Sequence, residues 1–299
     1  MDSVIECRQL CHSYGNKPAL KGVSWSLRPG RICGLLGRNG AGKTTTINIL
    51  NSFLSPDSGS CLLLGEDSRM LSPSTKARIG YLIEGHVQYG FFNVSQIERF
   101  YSSFYDKWDA SIYHHLISRL DIDPRQKIST MSCGQRSQVA LGLILAQSPD
   151  LIVFDDYSMG LDPGYRRLFI DVIRDYAANG KRSILMTSHI IQDLEGLIDD
   201  CIIYHRGEVL VDCPAKELET SYKSYSFVPN GPVEGFRGEG PEHLRIEQHN
   251  KRSAISGFIS SSVAEERLLA RGVEHSNLRE EPASLEDIFI ALTGKYQTR

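Results

Sequence analysis

Residues 37 to 44 read Gly-Arg-Asn-Gly-Ala-Gly-Lys-Thr, satisfying G-x-x-x-x-G-K-[ST] at every position. Few stretches restrict a fold as tightly. The pattern has its meaning between a buried strand and a helix, and both flanks are there: "RICGLLG" (31–37) before it and the helix-forming "TTTINIL" (44–50) after it. Glycine lets the backbone wrap closely around phosphate oxygens, and the amide N–H groups and helix N-terminus then offer a site for negative charge. Gly37, Arg38, Asn39, Gly40, Ala41 and Gly42 form the cradle, with Thr45 following it. Lys43 reaches the terminal phosphates and the Thr44 hydroxyl can bind Mg²⁺. The alternative, a glycine-rich turn without a ligand, has to treat a complete match in the right context as chance.

The remaining apolar segments set the fold class. "LIVFDD" (151–156) and "SILMTSH" (183–189), like "RICGLLG", are continuous apolar runs of strand length. Strands buried on both faces by helices look like this, which predicts a parallel sheet. Before them, "VIECRQLCHSYG" and "ALKGVSWSLRPG" alternate and end in turn signals, as antiparallel strands do. Between about 86 and 149 the period becomes helical in "VSQIERFYSSFY", "DASIYHHLISRL" and "QRSQVALGLILAQ", predicting a helical insertion. After about 215, "SYSFV", "LRIEQ" and "SAISGFI" read as strands, "SSVAEERLLARG" and "SLEDIFIAL" as helices, and "NGPVEGFRGEGPEH" as a Gly/Pro-rich loop. The expectation is an α/β nucleotide domain over 1–215 and a small α+β appendage over 216–299.

Composition excludes rather than selects. A net charge of −3 over 299 residues gives no global pull toward nucleic acid or anionic lipid. No apolar run approaches the ~20 residues that span a bilayer, and "MDSVIECRQL" lacks the order of a signal peptide. The expectation is a soluble, cytoplasmic chain whose membrane role comes through a partner. Seven scattered cysteines without zinc or C-x-x-C spacing read as reduced thiols, with Cys7 and Cys11 as metal ligands the alternative.

Polar residues that close buried strands are the candidate chemistry. Asp155 ends "DLIVFD" and would stand near Mg²⁺ and the γ-phosphate. Asp156 follows, where a carboxylate can hold or polarise the attacking water; a solvated acid at a strand end is the alternative. His189 closes "ILMTSH" and could touch the γ-phosphate and that water, unless it is structural.

At this point the residues resemble the nucleotide-binding subunits of ABC transporters. "MSCGQRSQVALGLILA" (131–146) is similar to the family signature, usually written LSGGQ, at the start of a helix. The resemblance implies a RecA-like P-loop NTPase with a mixed sheet, an antiparallel β-subdomain and the helical insertion. It also implies that Ser132, Gly134 and Gln135 cap the γ-phosphate of ATP held by a second copy, Gly134 through an accessible amide. Two chains then sandwich two Mg-ATP head to tail. Tyr14 in "HSYG" matches the aromatic that stacks on adenine. Glu84 in "IGYLIE" matches the lid residue that contacts Mg²⁺ and the membrane partner. Asp162 in "GLDP" matches the loop coupling the two sites. "PASLEDIFIALTGK" (282–295) is similar to the C-terminal segment of subunits that serve ABC-2-type exporters, which work with a separately encoded permease; an ordinary amphipathic helix is the alternative. The implied chain is an ATPase motor, peripheral on the inner membrane face, with no nucleic acid expected. Aromatics between Tyr89 and Trp108 are expected mostly as packing, with an exposed minority forming the partner groove.

Two positions depart from the family pattern. Cys133 replaces the first signature glycine: its side chain points from a tight turn at the dimer interface, is tolerated there if φ is negative, and could crowd the sandwich. Asp156 stands where most members have Glu, one methylene longer. Its carboxylate retreats by about 1–1.5 Å, and a misplacement of that order can slow a reaction about 10²-fold. The departures predict a slow ATPase. They also keep open an ATP-gated regulatory adaptor, beside a soluble ABC ATPase acting on the ribosome or DNA.

Overall fold

A computed structural model describes residues 2–83, 89–120, 122–237, 243–249 and 252–294. Along the chain run β1 (Ile5–Tyr14), β2 (Lys17–Leu27), β3 (Ile32–Gly37), α1 (Lys43–Leu50), β4 (Ser58–Leu63), β5 (Glu66–Asp67), α2 (Pro73–Lys76) and β6 (Ile79–Leu82). Next come α3 (Val94–Ser102), α4 (Ala110–Arg119), α5 (Cys133–Ala146), β7 (Leu151–Phe154), α6 (Pro163–Ala177), β8 (Ser183–Met186), β9 (Asp200–His205) and β10 (Glu208–Pro214). The last part holds α7 (Ala215–Ser221), β11 (Lys223–Pro229), β12 (Phe236–Arg237), β13 (Arg245–His249), β14 (Arg252–Gly257), α8 (Ser261–Leu269), β15 (His275–Glu281) and α9 (Leu285–Thr293). The chain divides into two compact units, Met1–Asp212 and Cys213–Arg299.

In the first unit a six-stranded sheet runs in the order β10-β9-β3-β8-β7-β6, and β9, β3, β8, β7 and β6 are parallel. Every residue of β7 and β8 is buried, as their apolar sequence, interrupted only by Ser183, requires. Fully burying each large apolar side chain contributes roughly 1.5–3 kcal/mol. A second sheet, β2-β1-β4-β5, is antiparallel. One core joins the two: Ile5, Leu10, Leu27 and Leu63 pack with Leu35, Val153, Leu185 and Ile202, and α1 adds Ile47, Ile49 and Leu50. Cys7 faces Cys61 across β1 and β4, and the Cys11 thiol accepts the Gly22 N–H, so neither stands in a metal cluster among the described residues.

The helical insertion has its own core of Val94, Ile97, Tyr113, Ile117, Val139 and Leu143. Its helices begin where side chains can satisfy the first N–H groups. Asn93 and Gln96 form a reciprocal cap on α3, Asp109 caps α4, and Ser132 and Gln135 form a second reciprocal cap on α5. The "VSQIERFYSSFY" helix stops at Ser102, short of the aromatic pair Phe104–Tyr105. Cys133 is the first residue of α5 and has no left-handed backbone, so the φ condition for tolerating a side chain there is met.

In the second unit, a five-stranded antiparallel sheet, β12-β13-β14-β11-β15, covers Tyr225, Phe227, Ile246, Ile255, Ala264 and Leu268. Part of the segment read as loop, Phe236–Arg237, is β12, and β15 carries a charged sequence that shows little strand pattern.

Candidate functional site

The C-terminal ends of three adjacent parallel strands, β3, β8 and β7, bring three sequence features together, the place where open α/β sheets bind ligands. From β3 the chain enters the glycine-rich loop and then α1. Gly42 adopts φ 110° just before α1, and a Cβ there would lie 2.7 Å from Leu20 Cδ2 and 2.9 Å from the Ala19 carbonyl. Only glycine satisfies both demands. The first N–H paired within α1 is that of Thr46, on Gly42 O at 2.9 Å. Helix geometry leaves the preceding N–H groups for an anion. Asn39, Gly40 and Thr44 are exposed, and Ala41 and Thr45 are buried.

Lys43 folds back over this loop, donating from Nζ to Gly37 O at 2.5 Å and to Arg38 O at 3.4 Å. Burial lowers its pKa, opposed by the charges of Asp156 and Asp155. A partly desolvated ammonium resting on neutral carbonyls suits an anionic ligand. Phosphate fits it, and the hard oxygens of Thr44 and Asp155 fit Mg²⁺.

Asp155 is buried at the end of β7 and accepts from Thr187 Oγ1 at 3.2 Å. The same Thr187 hydroxyl accepts the Asp156 N–H at 2.8 Å. Asp156 has φ 44°, a left-handed backbone that Asp tolerates better than most residues. Its carboxylate meets His189 Nδ1 at 2.9 Å through Oδ1 and 3.1 Å through Oδ2. Ser158 Oγ reaches Asp156 Oδ1 at 3.2 Å. A carboxylate only accepts, so His189 carries its proton on Nδ1, and in the neutral ring Nε2 is left as an acceptor.

The remaining described candidates lie on β1 and at the starts of α5 and α6. The Ser132 hydroxyl accepts the Gln135 N–H at 3.2 Å, and Gln135 Oε1 accepts the Ser132 N–H at 3.1 Å. Ser132 is exposed and Gly134 is buried, with the ring of Tyr165 packed where a Cβ on Gly134 would stand. Asp162 caps α6, accepting from Gly164 N at 2.9 Å and Tyr165 N at 3.0 Å. Tyr14 is exposed at the end of β1, its ring edge-on to His12 at 4.9 Å. Glu84 lies outside the described residues. Thr187, Ser158, Ser188 and Tyr165 were not singled out in the sequence. "ILMTSH" does place Thr187 and Ser188 at a strand end, where polar residues deserve testing.

The sequence profile described as "ABC transporter" matches residues 20–158. The chain is 30% identical over 305 residues to the Nod factor export ATP-binding protein I of Paraburkholderia xenovorans, covering 98% of each chain. It is 28% identical to the ABC transporter ATP-binding protein YtrB of Bacillus subtilis, over 97% of this chain and 98% of that one. Among solved structures, an ATP-binding subunit of an ABC transporter superposes with a TM-score of 0.65 at 22% identity, over 73% of this chain and 92% of the other. A dimeric ATP-binding cassette bound to ADP and Pi superposes with a TM-score of 0.61 at 17% identity, over 70% of this chain and 98% of the other. At these identities the structural matches speak to the fold.

Proposed function

The chain belongs to the ABC transporter family, as an ATP-binding, ATP-hydrolysing subunit, and from that premise we propose that it is the motor of an ABC-2-type export complex. Two copies close head to tail around two Mg-ATP, and closure drives a separately encoded permease at the inner face of the membrane. The observation that carries the hydrolytic part is the pairing of Asp156 with His189 Nδ1 at the ends of neighbouring strands β7 and β8, beside the loop that leaves β3. Support for export comes from the likeness to a Nod factor export protein over nearly the whole chain, second unit included.

In this reading Lys43 leaves Gly37 O and Arg38 O for the β- and γ-phosphates, and the α1 N-terminus receives the remaining negative charge. Thr44 and Asp155, with Glu84 as the family resemblance implies, would hold Mg²⁺, and the ion would neutralise phosphate charge. Asp156 orients the attacking water and accepts its proton. His189, held by Asp156 through Nδ1, turns Nε2 to the terminal phosphate and the water. Tyr14 stacks on adenine. Ser132, Gly134 and Gln135 of one protomer cap the nucleotide of the other, and Asp162 couples the two sites.

The permease surface is the aromatic patch at the start of the helical insertion. Tyr89, Phe91 and Phe104 are exposed, while Phe92, Tyr101 and Trp108 pack against the insertion's core. Turnover by Asp156→Asn and Asp156→Glu tests the hydrolytic assignment. Asn tolerates the same left-handed backbone, so Asp156→Asn should fold and lose at least about 10²-fold in rate. Parental turnover by that variant removes Asp156 from the water-positioning role. Co-purification with a polytopic membrane protein tests the transporter assignment, and its failure favours the two alternatives, the adaptor and a soluble ABC ATPase acting on the ribosome or DNA; ATP hydrolysis with and without that protein separates motor from adaptor.

A further inference from the structure

Behind the Asp156–His189 pair lies a row of buried hydroxyls that the reaction as described does not use. Ser158 and Ser188 are 2% and 3% exposed, and their Oγ atoms are 3.0 Å apart. Ser158 Oγ is 3.2 Å from Asp156 Oδ1 and 3.5 Å from His189 Nδ1. Ser188 Oγ accepts the Ile190 N–H at 3.0 Å and lies 3.2 Å from Ile190 O.

Each hydroxyl has one proton to give. Ser158 can direct its proton to Ser188 Oγ or to the Asp156 carboxylate, and an ionised acceptor makes the stronger bond. The direction is therefore Ser158 to Asp156, with Ser188 donating to Ser158, to Ile190 O or to the Tyr157 hydroxyl. The segment that carries Ser158 is anchored: Tyr157 is fully buried and stacks on Phe169, ring centroids 4.8 Å apart and planes 19° apart. Thr187 fixes the other side by accepting the Asp156 N–H. At 2% exposure Ser158 is shut off from solvent and is no nucleophile.

Resting on the reading of Asp156 as the water-orienting carboxylate, we infer that Ser158 is a positioning residue. It holds Asp156 Oδ1 so that one short side chain serves His189 and the water together. A longer carboxylate could sample several rotamers; the hydroxyl pins the shorter one in a single pose against His189.

The test is steady-state ATP hydrolysis by the full chain with Ser158→Ala, Ser158→Thr, Ser188→Ala and Asp156→Asn. A loosened carboxylate misplaces the water by a fraction of an ångström to about 1 Å, so Ser158→Ala should lower kcat by between about ten- and a hundred-fold. KM for ATP should stay within about threefold, since Ser158 stands behind the carboxylate. Ser158→Thr keeps the hydroxyl and should recover most of the rate, and Ser188→Ala should fall less far than Ser158→Ala. Parental kcat in Ser158→Ala, with Asp156→Asn impaired, overturns the inference and leaves Asp156 in its role. Equal losses in Ser158→Ala and Ser158→Thr also overturn it, because packing and not the hydroxyl then matters. Parental kcat in Asp156→Asn sinks the inference together with the reading beneath it.

Discussion

The ring of Tyr165, in the first turn of α6, lies directly on Gly134, in the first turn of α5: a Cβ built on Gly134 would stand 2.2 Å from Tyr165 Cδ2 and 2.5 Å from its Cγ. Around this contact the two helix starts are tied together. Gln138 Nε2 donates to Tyr165 O at 3.1 Å, and Asp162 caps the turn that carries Tyr165. A Cβ on Gly160 would come within 3.1 Å of Cys133 Sγ. The segment proposed to cap the partner's nucleotide and the loop proposed to couple the sites are thus one packed unit.

Gly134→Ala should therefore destabilise the chain. The clash is with the root of an aromatic ring, which cannot swing aside without leaving its packing. Overpacking of this kind costs about 1–3 kcal/mol. Thermal or urea unfolding of Gly134→Ala, Tyr165→Ala and the double variant gives the coupling. The double variant should be more stable than the sum of the two losses predicts, since removing the ring removes the clash. Strict additivity would show that the two residues do not press on each other.

Lys43 sets a pH dependence whose sign follows from its burial. Desolvation lowers its pKa, against the pull of Asp156 and Asp155. Between that lowered value and the ordinary lysine value of about 10.4, the unfolded chain holds more protons than the nucleotide-free fold. Stability of that form should then rise with pH through this window, and Lys43 should give it no pH dependence below the window. Phosphate restores the charge, so nucleotide binding should take up a fraction of a proton in the same window, and affinity should fall as pH rises through it. Titration calorimetry in two buffers of different ionisation heat measures the uptake. Lys43→Arg, charged throughout, should show none from this position. Equal uptake by parent and Lys43→Arg would assign the proton to another group.

Much of the frame was legible because burial on both faces writes itself as nearly unbroken apolar sequence: β3, β7 and β8 each read that way, and Asp155, Asp156 and His189 stand at or just past their ends. β9 has an apolar middle, Cys201–Tyr204, but its pairing with β3, Gly34 against Cys201, joins residues far apart in the chain, which local pattern does not specify. The hydroxyls of Ser158, Thr187 and Ser188 matter only because β8 lies beside β7 and because Asp156 turns left-handed. Neither condition has a residue signature. Tyr165 was hidden for the same reason: its partner is a glycine at the start of another helix. Asp162, by contrast, precedes Pro163, a pairing typical of a helix start, and it caps α6.

Tyr204 offers a prediction about the seat of the phosphate loop. Its hydroxyl accepts the Trp25 Nε1–H at 2.6 Å and lies 3.3 Å from Thr46 Oγ1, which is itself 3.1 Å from Gly42 O. All three side chains are buried, and burial pushes the phenol far above the usual tyrosine range, so it is neutral. Tyr204→Phe keeps the ring and strands the indole N–H in the core. Leaving such a donor unpaired costs about 1–3 kcal/mol, readable as a lower denaturation midpoint with an unchanged slope. An unchanged midpoint would mean that Trp25 finds another acceptor.

The aromatic patch separates a docking role from a structural one. Phe91 is 70% exposed and Phe104 is 64% exposed, yet each sits in a chain of ring contacts: Phe91 to Phe92 at 4.5 Å and Phe104 to Phe100 at 5.1 Å. If these rings served only the insertion's own packing, replacing both with serine would lower its stability. If they serve a permease, the cost falls on association. Most of each ring faces water already, so the double variant should melt within about 0.5 kcal/mol of the parent, as exposed surface changes do. Recovery of the membrane partner in a pull-down should drop by about tenfold or more, because exposed aromatics buried at an interface are the side chains that dominate binding energy. A well-folded double variant that still recovers the permease in full would remove this patch from the docking surface, and a variant that melts early would assign Phe91 and Phe104 to the packing of α3.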